Sequence, residues 1–339
     1  MTLRQAQGHN ELNRIMNKKI KVSAPGKLML FGEHAVVYSH PCLVTAVNQR
    51  MYVSVELLEA KEFYLDAPEV KVLKYQKPMN KIGKGEIAKG AKFVEIAIKN
   101  FAERYGLKNG IKVTTKSEFS SLFGFGSSSA ATVCVIKALS ELTNTHLSDK
   151  QLFDLSYKTV LDIQGKGSGF DIAAAIYGGT LYFFTAGKII KKLKINSLPL
   201  IVAYSGVKAD TVTLIKKVKE QETKYPKIIK NIYNNIEDIV ELAKKAIEKK
   251  DWQQVGELMN INQGYLESLG VSTQKLSAMI YVVKNNGGYG AKLSGAGGGD
   301  CIIALAPQTK IGQIKKVMKS VGGEFIKIGT NAQGVRLES

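Results

Sequence analysis

The sequence predicts two α+β domains, and three observations carry that prediction: the length, a strand-rich opening that gives way to helices, and a break in periodicity near residue 196. At 339 residues the chain exceeds one ordinary domain and falls short of three. Hydrophobic residues make up 45% and charged ones 23%, the balance of a chain that folds around a core in water.

The first region reads as strands. Ile20–Val22 and Leu43–Val47 are apolar, and in Met51–Leu57 the residues Met51, Val53, Val55 and Leu57 alternate with polar partners. Segments 62–66 and 111–115 continue that style, whereas Gly90–Tyr105 repeats apolar residues at helical spacing. Ala131, Val135, Ala138, Leu139 and Leu142 form one stripe of a buried helix. A shorter helix over Lys150–Ile163 ends in a glycine-rich turn at 165–169, and strand-like runs follow at 180–186 and 188–195.

Asn196–Pro199 breaks the periodicity and marks the division into domains of residues 18–195 and 196–339. The second region opens on the apolar run Leu200–Tyr204. Next come a helix from about Asp210, a long amphipathic helix through Ile229, Ile232, Ile236, Ile239, Ala243 and Ile247, and more helix to Leu269. Strands at 301–305 and 324–328 close it.

No apolar run approaches the roughly 20 residues of a membrane span. The stretch from Met1 to Asn17 is polar, without the apolar centre of a signal peptide, so a cytoplasmic protein is expected. Cys42, Cys134 and Cys301 lie far apart with no C-x-x-C pair, the pattern of reduced, buried thiols rather than of a disulfide framework or zinc site. The formal charge of +19 raises the question of nucleic acid. The lysines, however, are scattered among Ile, Val and Leu at core-facing spacing, and no aromatic-basic motif accompanies them, so no specific nucleic-acid partner is expected.

Chemistry concentrates in Phe123-Gly124-Phe125-Gly126-Ser127-Ser128-Ser129, which runs straight into the buried helix. Glycines let a backbone approach a ligand, free N–H groups and the dipole at a helix start favour an anion, and serine hydroxyls can donate to phosphate or ligate Mg²⁺. A serine N-cap after a glycine turn is the plainer alternative. No Gly-Lys-Ser/Thr follows, so this is no Walker A loop, and no G-x-G-x-x-G after a strand marks a dinucleotide fold.

Two further segments bear on the loop: Ser23-Ala24-Pro25-Gly26-Lys27 running on through Gly32-Glu33-His34-Ala35-Val36-Val37, and Lys292-Leu293-Ser294-Gly295-Ala296-Gly297-Gly298-Gly299-Asp300. In order and spacing, the three together resemble the motifs of the GHMP kinases, over about Val22 to Leu305. The resemblance implies an N-terminal domain like ribosomal protein S5 domain 2, a ferredoxin-like C-terminal domain, and ATP with Mg²⁺ in the cleft between them. It assigns phosphate binding to Gly124, Gly126, Ser127, Ser128 and Ser129, with Ser128 also on the metal. The usual proline- and glycine-rich lead-in is replaced by Ser120-Ser121-Leu122-Phe123. Asp171, after the turn Gly165-Lys166-Gly167-Ser168-Gly169, takes the place of the catalytic aspartate, with Lys27 balancing its charge. Where relatives acting on mevalonate carry a second metal-binding glutamate, Val160 stands, with Asp162 two residues on.

The Glu33-His34 pair resembles the mevalonate-phosphorylating branch, which places Glu33, His34, Thr211 and Ala296 in the acceptor pocket and implies mevalonate as the small-molecule partner. The turn before Asp171 and the ending Gly299-Asp300-Cys301 look closer to enzymes acting on phosphomevalonate, which stays open as the alternative acceptor. Lys166, Lys208 and Lys292 are cations that could serve it. A catalytically inactive ligand sensor on the same fold is disfavoured because Lys27, Ser128 and Asp171 are all present. A homodimer is left open.

Overall fold

The computed structural model describes residues 19–339, so the reading of Met1–Asn17 and the domain start at residue 18 lie outside the described residues. Among the described residues, twelve strands form two sheets. The larger has the order β12-β1-β2-β5-β3-β4, with β6 and β7 attached along β2. Its members are β1 (Lys19–Phe31), β2 (Pro41–Leu58), β3 (Glu62–Ala67), β4 (Val72–Pro78), β5 (Gly110–Ser117), β6 (Thr180–Phe184), β7 (Ile189–Lys192) and β12 (Arg336–Glu338). The pairs are antiparallel except β3 with β5.

The two strand segments expected at 43–47 and 51–57 are one strand, β2, which pairs with β6 at one end and β5 at the other. The polar Asn48-Gln49-Arg50 that seemed to separate them stays extended because Arg50 points inward. Its guanidinium donates to the carbonyls of Ser23, Gln333 and Gly334 at 3.0, 2.8 and 2.8 Å. A buried arginine is tolerated when its donors are satisfied in this way.

Four helices cover this sheet: α1 (Lys92–Tyr105), α2 (Ser127–Leu142), α3 (Asp149–Gln164) and α4 (Phe170–Tyr177). Helix α2 lies directly on β1 and β2, flanked by the other three, and is buried almost throughout. Being apolar on nearly every side, it belongs in the middle of the layer.

The smaller sheet has the order β11-β8-β10-β9, from β8 (Ile201–Tyr204), β9 (Gly290–Ser294), β10 (Cys301–Leu305) and β11 (Glu324–Phe325). The strand expected at 324–328 is thus only two residues long. Helices α5 (Thr211–Lys224), α6 (Pro226–Lys249), α7 (Trp252–Ser268), α8 (Gln274–Asn285) and α9 (Ile311–Ser320) complete this half. The division at 196 is not a clean cut. Strand β12 returns to pair with β1, and the stripe of α6 is shared between the cores, with Ile229, Ile232 and Ile236 in the second and Val240, Ala243 and Ile247 in the first. No helix among the described residues is long and apolar enough to cross a membrane. Cys42, Cys134 and Cys301 are all buried and free, as expected.

Candidate active site

The three glycine-bearing segments converge on one cavity of about 660 Å³ between the halves. Its lining includes Lys27, His34, Gly124, Gly126, Ser127, Ser128, Ser129, Asp171, Thr211 and Ala296, ten of the eleven residues that sequence reasoning assigns to the site.

The Gly124–Ser129 loop is built from the backbone upward. Gly124 and Gly126 both adopt left-handed backbone, φ 73° and 79°, which only glycine takes without strain, and a Cβ on Gly124 would collide with Asp300. Gly126, not a serine, caps α2, and it makes no side-chain cap bond. The simple serine N-cap is therefore excluded. Ser127, Ser128 and Ser129 occupy the first turn, where backbone N–H groups lack intrahelical partners and the dipole favours an anion. The unusual lead-in forms a short turn, Ser121–Phe123, held from behind by aromatic rings. Phe125 packs between Phe119 and Phe123 at 5.8 and 5.6 Å, and Phe123 reaches Tyr204 of β8 at 5.3 Å.

Lys27 is tied to this loop twice. Its backbone N–H donates to Phe125 O at 3.0 Å, and its ammonium donates to Gly124 O at 2.9 Å. The bulge after Pro25 in β1 lets the lysine face the loop from an otherwise regular strand. The same ammonium lies 3.1 Å from Asp171 Oδ1, yet outside hydrogen-bond geometry, so the contact is ionic and Oδ1 is left without a hydrogen-bond partner. Asp171 itself sits in the first turn of α4, a helix that the expected glycine turn opens rather than a turn alone.

The acceptor side differs from expectation at Glu33. It is fully buried, does not line the cavity, and pairs with the equally buried Lys292 of β9. Burial pushes the Glu33 carboxyl up and the Lys292 ammonium down, each restrained by the other's opposite charge. Neither faces a ligand, so Glu33 cannot repel a phosphorylated acceptor and Lys292 cannot attract one. Lys166 and Lys208 do line the cavity. Lys208 is engaged at 3.0 Å by Asp300, which also accepts from Ala209 N–H at 3.0 Å. His34 takes the inward place beside Glu33, its Nε2 bonded to Ala296 O at 2.9 Å. Since a carbonyl only accepts, Nε2 carries the proton and Nδ1 keeps a lone pair.

Burial lowers the His34 pKa below the ordinary 6.5. Acidification therefore protonates the unfolded imidazole before the folded one, and the folded state loses stability as pH falls through that value. Replacing His34 by glutamine is expected to remove up to about 1 kcal/mol of the stability lost between pH 6.5 and 5.5, read from urea melts of both proteins at the two pH values.

Val160 lines the cavity, whereas Asp162 turns away to Lys158 at 2.6 Å and Asn100 at 2.9 Å. Among the described residues no cluster of three or more acidic, histidine or cysteine side chains could hold a metal alone. Lys89, Glu69 and Thr115 also line the cavity and were not foreseen, because they come from loops and strands with no motif of their own.

Family models described as the GHMP kinase N-terminal and C-terminal domains match residues 92–179 and 243–324. The mevalonate kinase of Pyrococcus furiosus is 35% identical, over 94% of this chain and 98% of that one. The crystal structure of Methanococcus jannaschii mevalonate kinase superposes with a TM-score of 0.77 at 27% identity, covering 94% and 99% of the two chains. That of L. major mevalonate kinase with R-mevalonate gives 0.75 at 25%, covering 94% and 97%. Likeness over nearly the full length of both chains, with both family models in their proper order, means that the chain belongs to the GHMP kinases.

Proposed function

We propose that this protein transfers the γ-phosphoryl group of ATP to the primary hydroxyl of mevalonate, giving 5-phosphomevalonate and ADP. The observation that carries the reading is the meeting of the α2 N-terminus, Lys27 and Asp171 in one cavity whose far wall is His34 and Ala296. The mevalonate kinases similar to it supply the acceptor.

Phosphoryl transfer needs positioning and charge neutralisation more than covalent help. The first-turn N–H groups and hydroxyls of Ser127, Ser128 and Ser129 hold the phosphates, and Gly124 and Gly126 let them approach. The acceptor hydroxyl lies against Asp171, whose Oδ1 accepts its proton as the oxygen bonds to the γ-phosphorus and the bond to the β-phosphate oxygen breaks. Lys27 offsets the charge on both carboxylate and phosphoryl group. The residues fit Mg²⁺ through Ser128, since that ion keeps several waters and takes further oxygens from the nucleotide, and when bound it neutralises phosphate charge. His34 and Thr211 orient the acceptor, and Ala296 floors its pocket. Three free, buried thiols favour a reducing, cytoplasmic setting.

An ADP-release assay offering mevalonate and phosphomevalonate side by side tests the acceptor. Mevalonate is expected to give the higher kcat/KM. A preference for phosphomevalonate would instead assign Lys166 and Lys208 to an acceptor phosphate.

A further inference from the structure

The turn that carries His34 is held in a conformation its own residues do not favour. Between β1 and β2, Gly32, His34 and Ser39 adopt left-handed backbone, φ 98°, 60° and 64°, and two of the three bear side chains. Such backbone persists at non-glycine residues only where neighbouring structure holds it. Within the turn, Val36 N–H donates to Gly32 O and Val37 N–H to His34 O, each at 3.0 Å, so the bonds that close it depend on the strained residues themselves. The hold must come from outside.

At its start the turn is fixed by Lys292 on Glu33 and by Thr185 Oγ1, which donates to Val36 O. Its end is fixed by α6. The rings of Tyr38 and Tyr233 stack with centroids 4.8 Å apart and planes 16° from parallel, and His40 Nδ1–H donates to Glu237 Oε2 at 2.5 Å. Tyr233 and Glu237 are one helical turn apart, so α6 presents both on one face. Tyr233 is buried in the second core together with Ala35, the residue next to His34. Its hydroxyl has no hydrogen-bond partner among the described residues, so the ring and not its polar end makes the contact.

These contacts join a turn between two strands of the first half to a helix whose opening half packs in the second core. They thereby set where His34 stands relative to Ala296, its hydrogen-bond partner in the second half.

We propose that Tyr233 and Glu237 are positioning residues for the acceptor: they hold the turn so that His34 stays directed into the cavity, and they act on the substrate only through that imidazole. The acceptor side of the proposal rests on the function proposed above, whereas the hold on His34 does not.

Tyr233→Leu is expected to raise KM for mevalonate at least about tenfold, since a misplacement of about 1 Å can cost up to about a hundredfold. KM for ATP should stay within about twofold, because Lys27 is tied to Phe125 and Gly124 rather than to α6. Tyr233→Phe keeps the ring and should match the wild type. Glu237→Ala, at a side chain 42% exposed, should raise the mevalonate KM at least about threefold with little change in melting temperature, and it carries the test if Tyr233→Leu does not fold. In a His34→Ala background neither change should raise that KM further, because the residue they act through is gone.

A second readout needs no turnover. The chain has four histidines, so the imidazole N–H resonance of His34 is assigned by its loss in His34→Ala. It is expected to shift or broaden in Tyr233→Leu and to stay in place in Tyr233→Phe. Equal rises in KM for both substrates, or losses that add in the His34→Ala background, would overturn the proposal, as would a His34 resonance unmoved by Tyr233→Leu. A lower melting temperature with both KM values unchanged would reduce the pair to packing. If phosphomevalonate proves the better acceptor, or neither compound turns over, the proposed function fails, while the resonance still decides the hold on His34.

Discussion

Asp171→Asn is expected to lower kcat at least about a hundredfold while leaving ADP affinity and the melting temperature nearly unchanged. The side chain is only partly enclosed, 34% exposed, so an isosteric amide is accommodated without a packing defect. What changes in the proposed mechanism is the proton acceptor. The Oδ1 atom is held 3.1 Å from the Lys27 ammonium without being used as its hydrogen-bond acceptor, which keeps a lone pair for the incoming hydroxyl. Asparagine offers an amide oxygen that cannot take the proton, and Lys27 loses its counter-charge but keeps Gly124 O as an anchor. The measurement is kcat at saturating ATP and mevalonate alongside an ADP titration. A kcat within a few-fold of wild type would make Asp171 a first-turn acid that merely complements the α4 dipole.

The parts of this site legible in the sequence are those in which local backbone chemistry dictates the outcome. The Gly124–Ser129 loop needs positive φ, then free N–H groups, then a buried helix, and each requirement shows as a residue type at fixed spacing. The roles that failed depend on which way a side chain turns. Gly32 and His34 both have positive φ, 98° and 60°, so the chain around Glu33 departs from strand alternation and sends Glu33 into the interior and His34 into the cavity. Adjacent polar letters give no sign of that reversal.

Helix α4 escaped for a different reason. In Phe170–Tyr177 Asp171 stands alone as an acidic group in an apolar run enclosed by α2, α3, β1 and β2, so no amphipathic stripe betrays a helix. Strand β12 is three residues long, and its pairing with Lys21–Ser23 is set by contacts across more than 300 positions of sequence, such as Ser23 Oγ with Glu338 Oε1 at 2.5 Å. The place of Glu69 in the cavity could not be foreseen either, since the lining beside it is assembled from β5 and α1, which only the sheet order brings together.

Lys292→Met is expected to destabilise the fold by about 3–5 kcal/mol, the scale of leaving one member of a buried ion pair alone. Lys292 and Glu33 are both fully enclosed, and they join β9 of one half to the loop after β1 of the other. The ammonium also donates to Leu293 O at 2.6 Å, while Glu33 Oε2 has no hydrogen-bond partner, so the carboxylate depends chiefly on this lysine. Without it, burial is opposed only by the backbone N–H groups of Glu33 and Gly295, and the folded pKa of Glu33 moves further above the ordinary 4.5. A carboxyl raised in the folded state stabilises fully below its unfolded pKa and loses that stability as pH rises through the interval up to the folded value. The variant should therefore regain stability relative to wild type when pH is lowered from 7 to 5. Glu33→Gln combined with Lys292→Met removes both charges at similar volume and should recover at least half of the loss at pH 7. Urea midpoints of the three proteins at the two pH values decide it. A Lys292→Met protein as stable as wild type at pH 7 would show that the pair contributes nothing to joining the halves, and a double variant no better than the single one would trace the loss to the lysine's packing rather than to its charge.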